Sequence, residues 1–376
     1  GAVKALRADF TVVMTGTPVE NTLRDFWCLM DRVAPGYLNN YQPFRQEFIA
    51  PILQAKRSGD AAAQVRIRNE IGERLRERVG GLMLRRLKED HLKDLPNKEV
   101  ILHKDPSDSH SGFDERILCE MSGEQKQLYD GICSQECGDE ESDRSDRGKS
   151  ILGAIQNLRA VSLHPDLVLK DSLPCPKKAK DADAYLRQSA KLSLLLEILN
   201  QISERREKVL IFVINKNLQA LLRSALQLIY RFESPIEVIN GDTNVATSSR
   251  SKSKSRTELI DEFSEQEGFR ILILSPLAAG VGLTITEANH VIHLERHWNP
   301  AKEAQATDRV YRIGQKKPVS VWIPILTHPD RKSFDVNLNQ LLSMKSRLSD
   351  AVVTPEVVSH HELKELLDGF DPSDDD

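Results

Sequence analysis

The side chains best suited to chemistry lie between Gln305 and Gln315, in the order Gln-Ala-Thr-Asp-Arg-Val-Tyr-Arg-Ile-Gly-Gln. On a helix, Gln305, Asp308, Arg309 and Arg312 are spaced by three and four and share one face. An amide, a carboxylate and two guanidiniums make a poor core face. A guanidinium stays charged and presents a fork that matches phosphoryl oxygens. Beside a nucleotide it stabilises charge that develops on a γ-phosphoryl group in transfer. The same spacing also fits a solvated face with an Asp308–Arg312 pair, and in isolation that is the commoner case.

The surrounding elements favour the first alternative. Apolar runs at Val209–Ile214, Ile236–Ile239, Ile271–Leu274, Val291–Leu294 and Val319–Ile325 predict strands. Helical spacing is seen at Leu192–Ile202, Leu218–Ile229, Leu259–Phe263 and from about Ala301 to Ile313. The alternation implies a doubly wound parallel α/β sheet covered on both faces. The helix to Ile313 stops at Gly314 before the last strand, so its charged end falls at a sheet edge, where ligands bind. Gly280 and Gly282 follow the 271–274 strand and allow backbone to approach a phosphate closely. Trp298, beside Pro300, suits a DNA contact or a packed core position. Asp242–Arg256 is rich in Ser, Thr, Lys and Arg and reads as a loop whose bases face solvent or phosphates.

In the N-terminal half, Phe10–Met14 predicts a strand that ends in the tight loop Thr15-Gly16-Thr17-Pro18. A helix follows Asn21, with Leu23, Phe26, Trp27 and Met30 on one face. Tyr41–Val79 is helical and Arg-rich, and Gly80-Gly81 breaks it. Val100–Leu102 predicts a further strand, Gly138–Lys149 a polar loop, and Leu173–Asp183 a linker. The net charge of −4 excludes a uniformly basic coat protein but not a local basic groove. No apolar run approaches the ~20 residues of a membrane-spanning helix. Cys28, Cys119, Cys133, Cys137 and Cys175 read as reduced thiols of a cytosolic protein, without zinc-site spacing.

Taken in order, these stretches resemble the Swi/Snf-type ATPases, a branch of the superfamily-two helicases. Gln305–Gln315 is similar to their motif VI, and Ser275 with Ala279–Thr284 to motif V. Thr15–Pro18 with Asn21 resembles motif III, and Val209–Phe212 resembles motif IV. Leu84-Arg85-Arg86 with Lys88 and Leu95-Pro96 resembles a block near the end of the first motor lobe. Leu158-Arg159 with His164-Pro165, then Ser189–Leu192, resembles the approach to the second lobe. Gly241-Asp242 and Trp298-Asn299-Pro300 also match.

The resemblance implies a RecA-like second lobe with roles for individual residues. Arg309, Arg312 and Gln305 would be catalytic, with Gly280, Gly282 and Asp308 at the nucleotide. Gly241, Ser275, Thr284 and Trp298 would contact DNA. Thr15, Gly16, Thr17, Arg85 and Arg86 would couple the lobes, with a lobe-interface and a surface role equally open for the two arginines. The implied arrangement is residues 1–130 as the end of the first lobe with a helical insertion at about 38–80, 131–188 as a joining segment, 189–349 as the second lobe, and 350–376 as an acidic tail.

A phosphate-cradling loop and an acidic magnesium motif are both expected for hydrolysis. Gly148-Lys149-Ser150 ends like such a loop, but Asp143 stands where its first glycine belongs. Asp114-Glu115-Arg116 follows no apolar strand. The family places both motifs before motif III, so the expectation is a C-terminal fragment, inactive alone, whose ATP and Mg2+ are held mainly by a preceding lobe. The expected partners are duplex DNA and further proteins of a complex. A non-catalytic binding module and an RNA helicase are the alternatives. Ser333-Phe334-Asp335 and the helix to Leu348 resemble bacterial members, some of which serve in phage defence. That implies a cytoplasmic protein, or a nuclear one if eukaryotic.

Overall fold

The structure is a computed structural model and describes residues 8–15, 23–57, 61–84, 88, 92, 94–105, 108–136, 144–244, 254–278 and 282–351. The chain divides into two compact units. The first holds the described residues up to 91, with Trp298–Ala301 and those from Leu341 on; the second holds Leu92–His297 and Lys302–Gln340.

In the first unit, α1 (Leu23–Val33) precedes α2 (Tyr41–Phe44), a π-helical turn (Arg45–Ile49), α3 (Ala50–Arg57) and α4 (Ala61–Val79). Leu23, Phe26 and Met30 recur at helical spacing and pack with Phe44, Phe48, Ile71, Leu75 and Val79 in one apolar core. Glu47 accepts from Arg74 at 3.1 Å and from Arg78 at 2.9 Å on the outside of this core. Phe10–Met14, expected as a strand, forms none, and Phe10 and Met14 are 83% and 91% exposed. A strand needs ladder partners for its N–H and C=O groups, and among the described residues none lies beside this run.

The second unit begins with β1 (Lys98–Ile101), the hairpin β2 (His103–Asp105) and β3 (Asp108–Phe113), and β4 (Leu118–Glu120). Helices α5 (Gly123–Glu136), α6 (Arg144–Leu163) and α7 (Ala179–Leu186) follow. Helix α6 includes 144–149, expected as loop, and Gly148-Lys149-Ser150 lies inside it, not in a strand-to-helix turn. The sequence then alternates as α8 (Ala190–Glu204), β5 (Lys208–Phe212), α9 (Lys216–Ile229), β6 (Glu237–Ile239), α10 (Arg256–Glu265), β7 (Arg270–Leu274) and β8 (His290–His293). The last described elements are α11 (Pro300–Thr307), β9 (Val319–Trp322), β10 (Ile325–Thr327) and α12 (Phe334–Ala351), of which residues 300–301 and those from 341 on belong to the first unit.

Six strands form one parallel sheet in the order β1-β9-β8-β5-β7-β6. Strand β5 lies near the middle and every residue in it is buried, the apolar run 209–212 by its chemistry and Lys208 with its ammonium bonded to the Ser264 carbonyl at 2.7 Å. Residues 98–101 lie within the span given to the first lobe from sequence. In the structure they form the edge of this sheet, with Lys98 opposite Val319. The predicted strand 319–325 splits at Pro324, which has no N–H to donate. Its second part, β10, pairs instead with β4 in a separate two-stranded sheet.

Side-chain caps fix where the helices start. Ser189 accepts from the Leu192 amide, Asn215 accepts from Leu218, and Ser255 with Glu258 forms a reciprocal capping box. Among the described residues, no helix is long and apolar enough to cross a membrane.

Candidate functional site

The loops that leave the C-terminal ends of a parallel sheet are where such folds bind ligands. Here β6 runs into residues 240–244 and β7 into residues 275–278. The Ser275 amide donates to Ile239 at 2.8 Å, and the Ala278 amide to Ser275 at 3.0 Å. Between the loops lies the guanidinium of Arg256, only 7% exposed. It donates to the carbonyls of Asn240 and Thr243, each at 3.2 Å, and to that of Ala278 at 3.4 Å. Arg256 is thus the first residue of α10, not one base of a solvated loop. Lys254, from the same stretch, ion-pairs with Glu262 at 2.6 Å.

In the segment that leads into β9, α11 ends at Thr307, so the expected helix to Ile313 stops early. The amides of Arg309 and Val310 bond three residues back, to Ala306 and Thr307, and the chain tightens into turns. Two outside contacts hold it there. The Ile285 amide donates to the Arg309 carbonyl at 2.9 Å, and Thr307 Oγ1 bonds the buried His293 Nε2 at 2.8 Å. Gly314 closes the turn at φ +103°, a left-handed backbone that favours glycine. Consequently Gln305, Asp308, Arg309 and Arg312 do not share one helical face; only Gln305 is helical.

On these turns Arg309 stays within electrostatic reach of Arg312. Burial and the neighbouring Arg312 guanidinium both disfavour the charged form of Arg309, while Asp308 partly offsets them. Paired guanidiniums that repel each other form a site an anion relieves, which fits nucleotide phosphates. Arg309 Nη1 also reaches the Leu283 carbonyl at 3.5 Å. Gly282, just before it, adopts φ +55° and is exposed, with open space where a Cβ would stand. Among the described residues no group of His, Cys, Asp or Glu is placed to hold a metal ion.

Of the residues singled out from sequence, Gly241 and Ser275 fall on the edge after β6 and β7, while Gln305, Asp308, Arg309 and Arg312 lie on α11 and the turn that leads into β9. Gly241 is exposed in the turn after β6, Ser275 is buried under the neighbouring loop, and Thr284 is exposed between Gly282 and Ile285. Trp298 is half-buried and belongs to the first unit, as does the exposed Thr15. Gly16, Thr17, Arg85, Arg86 and Gly280 lie outside the described residues, as do Cys137 and most of the acidic tail.

The SNF2-related domain family matches residues 1–167, and the helicase conserved C-terminal domain family matches residues 190–314. The chain belongs to the SNF2-type helicase-like ATPases. It is 35% identical to Zorya protein ZorD of Escherichia coli over 98% of its own length and 31% of that protein's. It is 31% identical to the putative ATP-dependent helicase/translocase YwqA of Bacillus subtilis, over 97% of its length and 35% of that protein's. The chain therefore spans about a third of these relatives. Among solved structures, it is similar to the Sulfolobus solfataricus SWI2/SNF2 ATPase core domain, with 26% identity and a TM-score of 0.51, covering 97% of this chain and 66% of that one.

Some residues that support these SNF2-type segments were not singled out from sequence for that role. Glu295, 6% exposed, follows β8 and accepts from the amides of Ile214 at 2.7 Å and Asn215 at 2.8 Å, at the start of α9. Its other oxygen pairs with Arg159 Nε at 2.8 Å. Gln315 is buried with all of its amide in use. Its nitrogen donates to the carbonyls of Thr286, Ala288 and Val310, and its oxygen accepts from the Lys316 and Lys317 amides. A carboxylate directly after a buried strand was a legible signal for Glu295. Gln315 closes the motif, but its sequence position carries no sign of burial.

Proposed function

We propose that this chain is the C-terminal motor half of an ATP-dependent translocase on duplex DNA. The carrying observation is the turn that holds Arg309 against the 283–285 segment, with Arg312 three residues further on. In this reading the two guanidiniums meet the phosphates of ATP and stabilise charge on the group in transfer. Gln305 senses the nucleotide, Asp308 stands at the nucleotide, and Gly282 with Gly280 admits backbone to the phosphates. Gly241, Ser275 and Thr284 contact one DNA strand, and Trp298 is assigned a DNA contact of its own. Thr15, Gly16, Thr17, Arg85 and Arg86 couple nucleotide state to lobe movement.

Hydrolysis supplies the free energy for stepping along the duplex. The phosphate loop and the carboxylate for Mg2+ are assigned to the part of the protein outside this chain, so the isolated chain is expected to lack ATPase activity. The test is Arg312→Ala in the full-length protein, with duplex-stimulated ATPase and duplex affinity measured together. A loss of about 10³-fold in kcat is expected, with DNA affinity little changed. Full activity in this variant removes the role given to Arg312.

A further inference from the structure

We infer that Arg256 is a positioning residue that holds loops 240–244 and 275–278 as one surface for the phosphodiester backbone of duplex DNA. The inference rests on the DNA-contacting role proposed above for Gly241 and Ser275. Arg256 is buried, and its guanidinium bonds three carbonyls drawn from both loops: Asn240, Thr243 and Ala278. Its own amide donates to Asn244 at 3.0 Å, so side chain and backbone grip the same loop.

The electrostatics of this clamp are unusual for a buried arginine. Among the described residues no carboxylate lies within ion-pair distance of it, and residues 245–253 and 279–281 contain no Asp or Glu. A buried guanidinium bonded to carbonyl oxygens alone keeps its positive charge directed at the two loops. At that range, inside protein, the charge is weakly screened and favours an anion above them. A lysine cannot span three carbonyls from one compact ammonium, so the planar fork matters as well as the charge.

The experiment is a titration of labelled duplex DNA at several salt concentrations with the wild-type chain, Arg256→Gln and Arg256→Lys. Amide hydrogen exchange at Ser275 and Ala278 is followed without DNA, and thermal unfolding is recorded for each protein. Arg256→Gln is expected to bind roughly tenfold more weakly, as loss of about one good polar contact would give. Its salt slope should match wild type, its loop amides should exchange faster, and Arg256→Lys should recover part of the affinity. If Arg256→Gln does not fold, Arg256→Lys carries the comparison, with affinity below wild type and faster exchange expected.

Affinity equal to wild type in a folded variant with faster exchange overturns the inference, because the clamp then serves the fold alone. A salt slope lower by about one also overturns it, because Arg256 would then touch a phosphate directly. A wild-type chain that does not bind duplex DNA overturns the proposed function, and this role with it. Unchanged exchange in the variants would instead count against the clamp alone.

Discussion

Beside β8, the turn after α11 is fastened by neutral groups: the Gln315 amide, the Ile285 amide and the His293–Thr307 bond. Beside β6 and β7, the loops are fastened by a buried cation, Arg256. The first region keeps its charge at the site itself, on Arg309 and Arg312, and builds the support from groups that carry none. The second keeps a charge in the support. The difference suits the two tasks proposed above. A reacting phosphoryl group needs charge within bonding distance, where alignment decides the rate. A DNA backbone that must be released at each step is better met by loops whose attraction is spread out.

The sharpest way to break the comparison is Gln315→Ala. It leaves three carbonyls and two amides without the partner that now satisfies them. A loss of about 3 kcal/mol in unfolding free energy is expected, read by denaturant titration. In the full-length protein, kcat should fall with little change in duplex affinity. Equal losses in both would mean that the two regions share one support.

A smaller effect concerns pH. Burial pushes His293 down to about 4 from its ordinary 6.5, so the folded protein keeps it neutral. The unfolded chain takes up the proton between those values. Stability attributable to His293 is therefore complete above pH 6.5 and lost as pH falls toward 4, by about 1.4 kcal/mol per unit. Burial lowers His164, His290 and His328 in the same direction, so the measurement is the difference between wild type and His293→Gln. The variant's stability should fall less steeply over that range, and an unchanged slope would remove His293 from the neutral support.

The smallest effect is expected on the outer rim of the 240–244 loop, on the proposed DNA side. Lys216 and Asp242 pair at 2.7 Å, but their side chains are 62% and 71% exposed. Lys216→Ala should change unfolding free energy by less than about 0.5 kcal/mol. A larger loss would show that the 240–244 loop depends on its rim as well as on Arg256.

Much of this molecule was written in its periodicity. Apolar runs separated by helical spacing specified a parallel α/β sheet, because buried strands must be apolar throughout and helices must cover both faces. The motif order placed the arginines beside a sheet edge. Local pattern could not say where α11 would stop, since its end is set by Ile285 and His293, distant in sequence. Nor could it show that 98–101 would join β9 across more than two hundred residues, or that Phe10–Met14 would form no strand. The sequence by itself determined the alternation of strands and helices over 190–325 and the residue types grouped at Gln305–Gln315. Only the tertiary structure decided that those arginines stand on a turn and that Arg256 is buried, because both depend on backbone partners that meet only when the sheet is assembled.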